Sequence, residues 1–153
     1  MPYDIEIKEL SEQPVATIRT TTTPDKLSDL FGELLPEVDE YVHGSGIEHV
    51  GPPFGIYHEY AEDRVDVEAG MPVSEPVEGA GRIGGRTLPA GRAAVTWHIG
   101  PYTTIAEAYR AVEAWIAEQG HTPSGPPWEV YWTDPGEEPD SSKWRTEVGY
   151  PIA

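Results

Sequence analysis

Residues 125–132 read GPPWEVYW, and a close variant of the same phrase stands at 51–60, GPPFGIYHEY. Laid on one another, Pro52-Pro53-Phe54 falls on Pro126-Pro127-Trp128, and Ile56-Tyr57 falls on Val130-Tyr131. The position between them holds Gly55 in one copy and Glu129 in the other, an offset of 74 (129 − 55). Further on, Glu68, Pro72 and Val73 fall on Glu147, Pro151 and Ile152 at an offset of 79 (147 − 68). A single insertion in the loop after Thr133 accounts for the difference. The chain therefore reads as one domain, 1–153, built from two repeats, about 1–73 and 86–153.

Outward from that phrase, each repeat spells strand, strand, helix, strand, strand. Tyr3, Ile5 and Ile7 alternate with Asp4, Glu6 and Lys8, the period of a half-buried strand. A turn at 11–13 leads into the β-branched run Val15 to Thr20. Thr23 followed by Pro24 predicts a helix start. Leu27, Leu30, Phe31, Leu34, Leu35, Val38, Tyr41 and Val42 then give one apolar face. Pro36 interrupts that face and predicts a kink or a break into two short helices. Phe54 to Tyr60 and Val65 to Val73 predict a hairpin, and a loop from Ser74 to Gly85 joins the repeats. In the second repeat Arg86 to Leu88 and Arg92 to Ile99 predict a hairpin about Pro89-Ala90-Gly91. A helix capped at Thr103 or Thr104 follows, with Ile105, Ala108, Tyr109, Val112, Trp115 and Ile116 on its inner face and Gly120 at its end. Trp128 to Thr133 and Trp144 to Ile152 supply the last two strands. The predicted fold class is α+β: duplicated βαββ units about a pseudo-twofold axis, antiparallel sheets, helices on one side and a ligand cleft on the other.

Composition removes several function classes. A net charge of −17, with Lys8, Lys26 and Lys143 the only lysines, argues against nucleic acid and anionic membranes as partners. The acids are spread along the chain, as on a solvated surface. No apolar run approaches a membrane span, and MPYDIEIKEL has no signal-peptide character, so a cytoplasmic location is expected. Without cysteine, disulfides and thiolate chemistry are excluded. The five histidines lack metal-ligand spacing, and neither a metal nor a cofactor is expected. Gly79 to Gly84 spells GxGxxG but lies between strands and opens no helix, which removes the dinucleotide reading.

Glu129 is the position with chemistry. Strand alternation turns Glu129 and Tyr131 one way and Trp128, Val130 and Trp132 the other. The Trp-Val-Trp face is the one expected under the helices, which leaves Glu129 in the groove. There a carboxylate between aromatic walls either attracts a cation or takes a proton from an attacking water. An exposed edge glutamate, or one tied to Arg145 across the last hairpin, is the alternative without function. Candidate wall residues are Tyr57, Trp97, Tyr102 and Tyr150, with Glu68 and Glu147 read as a shared structural pair.

Four stretches, GPPFGIYHEY with DVEAGMPV, HIGPYTTIAEAYRAVEAWI, PPWEVYWTDP and TEVGYPI, resemble the GyrI-like small-molecule-binding domain, also found as the effector-binding half of bacterial multidrug-sensing transcription activators. The resemblance spans nearly the whole chain and implies the same duplicated fold. It implies that Glu129 projects into an aromatic cleft and meets cationic drugs. It also implies an alternative, because some stand-alone members are hydrolases that detoxify cyclopropane-bearing genotoxic compounds; Glu129 would then be the general base and Tyr131 its catalytic companion. The two repeats use up the chain, so no helix-turn-helix module is expected within it. The expected function is binding of aromatic or lipophilic, often cationic, small molecules at Tyr57, Trp97, Tyr102, Glu129, Tyr131 and Tyr150. A protein partner such as DNA gyrase is the third possibility.

Overall fold

Strand alternation and two amphipathic stripes organise the computed structural model, which describes residues 3–153. The fold is mixed α+β, with nine strands and two helices among the described residues. The chain divides into two compact units. The first, residues 11–90, holds β2 (Gln13–Thr22), α1 (Leu27–Gly44), β3 (Phe54–Tyr60), β4 (Val65–Pro72), β5 (Gly79–Ala80) and β6 (Ile83–Leu88), with strand order β3-β4-β2-β6-β5. The second, residues 3–10 with 91–153, holds β1 (Glu6–Leu10), β7 (Gly91–Ile99), α2 (Ala106–Glu118), β8 (Trp128–Tyr131) and β9 (Arg145–Ile152), in the order β1-β7-β9-β8. Within each unit every strand pair is antiparallel.

The predicted hairpin about Pro89-Ala90-Gly91 does not form. β6 pairs with β2, placing Arg86 opposite Val15, while β7 pairs with β1 and β9. Residues 6–10 thus complete the second unit's sheet, and residues 83–88 the first's. An ion pair between a buried glutamate and a half-exposed arginine explains the preference. Glu68 on β4 is only 3% exposed and accepts hydrogen bonds from Arg86 Nε (2.9 Å) and Nη2 (2.7 Å), from Thr17 Oγ1 (2.7 Å) and from His58 Nε2 (3.0 Å). Burial pushes its carboxyl pKa up, and the bonds from Arg86, Thr17 and His58 outweigh burial and hold it at about 2. In the second unit Lys8 Nζ lies 3.2 Å from the buried Glu147. Lys8 and Arg86 are 78 apart (86 − 8), and each clasps its strand to a buried glutamate.

The register carries the offsets seen in the sequence. Gly55 pairs with Ala69 as Glu129 pairs with Val148, and Phe54 pairs with Gly70 as Trp128 pairs with Gly149. The helices keep an offset of 78: buried Leu34 and Val38 on α1 match buried Val112 and Ile116 on α2. The first core packs α1 on Ala16, Ile18, Ala69, Met71 and Val73, and the second packs α2 on Ala94, Tyr150 and Ile152.

Three local expectations change. Pro36 lies inside an unbroken α1, because it and Gly32, whose carbonyl loses its donor, both face solvent. The loop from Ser74 contains β5 and the start of β6. Short 3-10 turns at Pro24–Lys26 and Tyr102–Thr104 precede the helices, and neither Thr23 nor a threonine of the second turn supplies a side-chain cap. Among the described residues no helix is long and apolar enough to cross a membrane.

Gly149 has a steric duty. A Cβ there would stand 2.5 Å from Cζ2 of the Trp128 indole, which lies across it from β8. Gly149→Ala is therefore expected to destabilise the protein by about 2 kcal/mol, the usual cost of overpacking, read as a shifted urea midpoint with an unchanged slope.

Candidate functional site

Because cross-strand partners share a face, the β8–β9 register decides where Glu129 points. Glu129 pairs with Val148 and Tyr131 with Thr146, on the same side as Tyr150 and Ile152, which pack against α2. Glu129 and Tyr131 therefore lie on the α2 face of the second unit's sheet. The expectation that the tryptophan face goes under the helix is reversed. Its cause is Gly149, whose missing side chain gives the Trp128 indole its place on the face away from α2.

Glu129 is 8% exposed. Tyr109 Oη, from α2, donates to its Oε2 at 2.5 Å, and Tyr131 Oη donates to its Oε1 at 3.0 Å. Around this carboxylate the aromatic rings interlock. Tyr102 meets Tyr131 edge-on at 5.9 Å and leans against Trp144 at 5.1 Å, and Tyr109 meets Tyr150 edge-on at 6.1 Å. The Tyr150 hydroxyl donates to Glu113, also on α2. Burial raises the Tyr102 phenol pKa to about 12, with the negative charges of Glu129 and Asp134 adding to the effect. Burial, then the bond to Glu113, raises Tyr150 further. Both of these hydroxyls thus stay protonated.

The same places in the first unit are apolar. Gly55 stands for Glu129, Phe31 for Tyr109 (109 − 31 = 78), Met71 for Tyr150 (150 − 71 = 79) and Leu35 for Glu113 (113 − 35 = 78). Phe31 packs on Tyr57 at 6.5 Å in the α1 core. Tyr57 keeps the phenol of Tyr131, but the charge of Glu129 and the hydroxyls of Tyr109 and Tyr150 have no counterpart in the first unit.

Of the sequence candidates, the second unit brings Tyr102, Tyr131 and Tyr150 together about Glu129. Tyr57 is buried in the first unit's core against α1. Trp97 is on the opposite face of the sheet from Glu129, where it packs on Trp132 at 5.8 Å and under the Arg145 guanidinium at 4.7 Å. Arg145 therefore stacks on Trp97, away from the face that Glu129 shares with α2. Sequence reasoning missed Tyr109, Glu113 and Trp144. Tyr109 and Glu113 sit four apart on α2, a polar tip and a carboxylate beside an otherwise apolar stripe, and that spacing was the available signal. An open depression lined by Glu37, Glu40, Tyr41, Gly44 and Ser45 lies on α1 and contains none of this chemistry.

Known proteins share this fold. The C-terminal domain of EcmrR is 27% identical with a TM-score of 0.89, over 100% of this chain and 99% of that one. In the EcmrR–DNA complex the match is again 27% identical, with a TM-score of 0.87 over 98% of this chain, and the chain spans 57% of that protein's length. SAV2435, solved bound to tetraphenylphosphonium, shares the fold at 13% identity, with a TM-score of 0.65 over 98% of this chain and 94% of that one. A hydrolase encoded by lin2189 of Listeria innocua does so at 12% identity, with a TM-score of 0.71 over 97% and 91%. Among curated proteins none matches the sequence. The family model of the GyrI-like small molecule binding domain matches residues 3–153, and the chain belongs to that family.

Proposed function

We propose that the protein is a receptor for aromatic, lipophilic cations, acting as one domain of two repeats in the cytoplasm, with Glu129 as the charged contact. The observation that carries this reading is a buried carboxylate whose two oxygens accept from Tyr109 and Tyr131 inside a cage of aromatic rings. Two neutral hydroxyls hold the carboxylate in place without cancelling its charge, and ring faces add about 0.5 to 2 kcal/mol each toward a cation. The tetraphenylphosphonium bound to SAV2435 supplies a probe of the right chemistry. Titration calorimetry of the full chain with tetraphenylphosphonium is expected to give one saturable site. A flat titration at millimolar probe would sink the reading.

A second reading, hydrolysis of a strained electrophilic ring, is favoured by Thr146. Its hydroxyl is buried, the residue being 1% exposed, and has no hydrogen-bond partner among the described residues. It lies opposite Tyr131, one step along the same face from Glu129, where a water could bridge it to the site. In this reading Glu129 takes a proton from water as the oxygen bonds to a cyclopropane carbon. The strained C–C bond breaks, its electron pair passes to a conjugated carbonyl on the substrate, and the proton taken up by Glu129 is returned to that oxygen, which restores the carboxylate. Mass spectrometry of a cyclopropane-bearing alkylator should then show one added water with wild type and none with Glu129→Gln. Unchanged compound in both leaves the receptor reading alone.

A further inference from the structure

We infer that His98 is a positioning residue that fixes Tyr102 over the Glu129 site, an inference that rests on the binding role proposed above. His98 is 2% exposed and stands on β7 in one cross-strand row with Thr146 and Tyr131. Its Nε2 lies 3.0 Å from the Pro101 carbonyl oxygen, which can only accept, so Nε2 carries the proton. Nδ1, on the other side of the ring, shares a hydrogen bond with the Tyr3 hydroxyl, 2.8 Å away. Thr104 Oγ1 closes the arrangement, donating to the same Pro101 oxygen at 3.1 Å and lying 3.2 Å from Nε2.

Pro101 and Thr104 bracket the turn Tyr102–Thr104, so one imidazole holds both sides of the residue whose ring closes on Tyr131 and Trp144. A backbone bond from Gly100 N to Trp144 O (2.8 Å) ties the approach to the turn to the other wall of the cage. Gly100 itself has φ 139°, a conformation that favours glycine, and it redirects the chain from β7 into the turn.

The first unit has the same turn, Pro24–Lys26, at the offset of 78, without this lock. Thr20 stands where His98 does (98 − 20 = 78), and Pro24 stands where Tyr102 does (102 − 24 = 78). The histidine occurs in the unit with a tyrosine to aim and a carboxylate to aim it at. A purely architectural need for the imidazole would arise in both turns.

The test uses the full chain in two measurements. Hydrogen exchange at residues 100–105 is expected to speed up at least about tenfold in His98→Leu, while 23–27 stays at the wild-type rate. His98→Gln can donate to Pro101 and accept from Tyr3, and is expected to restore slow exchange. For tetraphenylphosphonium, His98→Leu should weaken binding about tenfold, and little further in a Tyr102→Ala background, because it acts through that ring. Unchanged exchange at 100–105, or full additivity of the two substitutions, would overturn the inference. If His98→Leu does not fold, Tyr3→Phe, which removes only the hydroxyl bonded to Nδ1, is read by the same exchange measurement, with faster exchange supporting the lock and wild-type exchange overturning it. Wild-type protein that ignores the probe yet shows the exchange effect refutes the binding role while leaving the lock in place.

Discussion

Glu129→Gln is expected to weaken tetraphenylphosphonium binding by about thirtyfold and to leave the fold intact. The substitution preserves size and one acceptor oxygen and removes the charge. A unit charge about 6 Å from a cation at an effective dielectric of about 20 contributes close to 3 kcal/mol, and partial desolvation leaves about 2, hence the factor of thirty. The informative partner in this experiment is tetraphenylborate, nearly the same shape with the opposite charge. Wild type should strongly prefer the phosphonium, and Glu129→Gln should narrow the gap from both sides, gaining for the borate as it loses for the phosphonium. A variant that lost both probes equally would point to a collapsed cage and deny Glu129 its electrostatic role.

The second large effect concerns acid. The Glu68 carboxyl titrates at about 2 in the folded protein against 4.5 for a free glutamate. A depressed folded value contributes stability that is fully present above the unfolded pKa and lost as pH falls through the folded one. The window is therefore about pH 4.5 down to about 2, and the contribution is about 3 kcal/mol, of which about 2 is gone by pH 3. Urea titrations of wild type and Glu68→Gln measure this directly. Their difference in unfolding free energy should shrink by about 2 kcal/mol between pH 6 and pH 3. A constant difference would mean that Arg86, Thr17 and His58 do not hold the carboxylate as their distances indicate.

Much of this was legible in the residues. The element order, both helical stripes and the offsets of 74 and 79 follow from local pattern. What pattern could not supply was partner choice. Arg86 to Leu88 has the same alternation whether it pairs with β7 or with β2, and the decision falls to an ion pair with Glu68, distant in sequence. Period two likewise separates Glu129 from Trp128 without saying which side a helix covers. That depended on the fit of an indole over Gly149, a contact between strands. Tyr109 was hidden for a different reason: on an amphipathic helix an aromatic residue reads as core, and only the third dimension shows its hydroxyl reaching a carboxylate.

The pairing of β1 with β7 imposes an order on synthesis. β1 leaves the ribosome first, yet its partner β7 follows some 85 residues later (91 − 6), after the whole of residues 11–90. The first unit has all its strands in hand once β6 emerges, while Glu6, Lys8 and Glu9 keep the waiting segment charged and poorly suited to stray edge pairing. The carboxylate cage draws on β8, β9 and α2, so it is the last part of the molecule to exist. A nascent chain stalled near residue 90 would carry the completed first unit without the carboxylate cage, and a chain lacking β1 would leave the cage's own sheet with an open edge at β7.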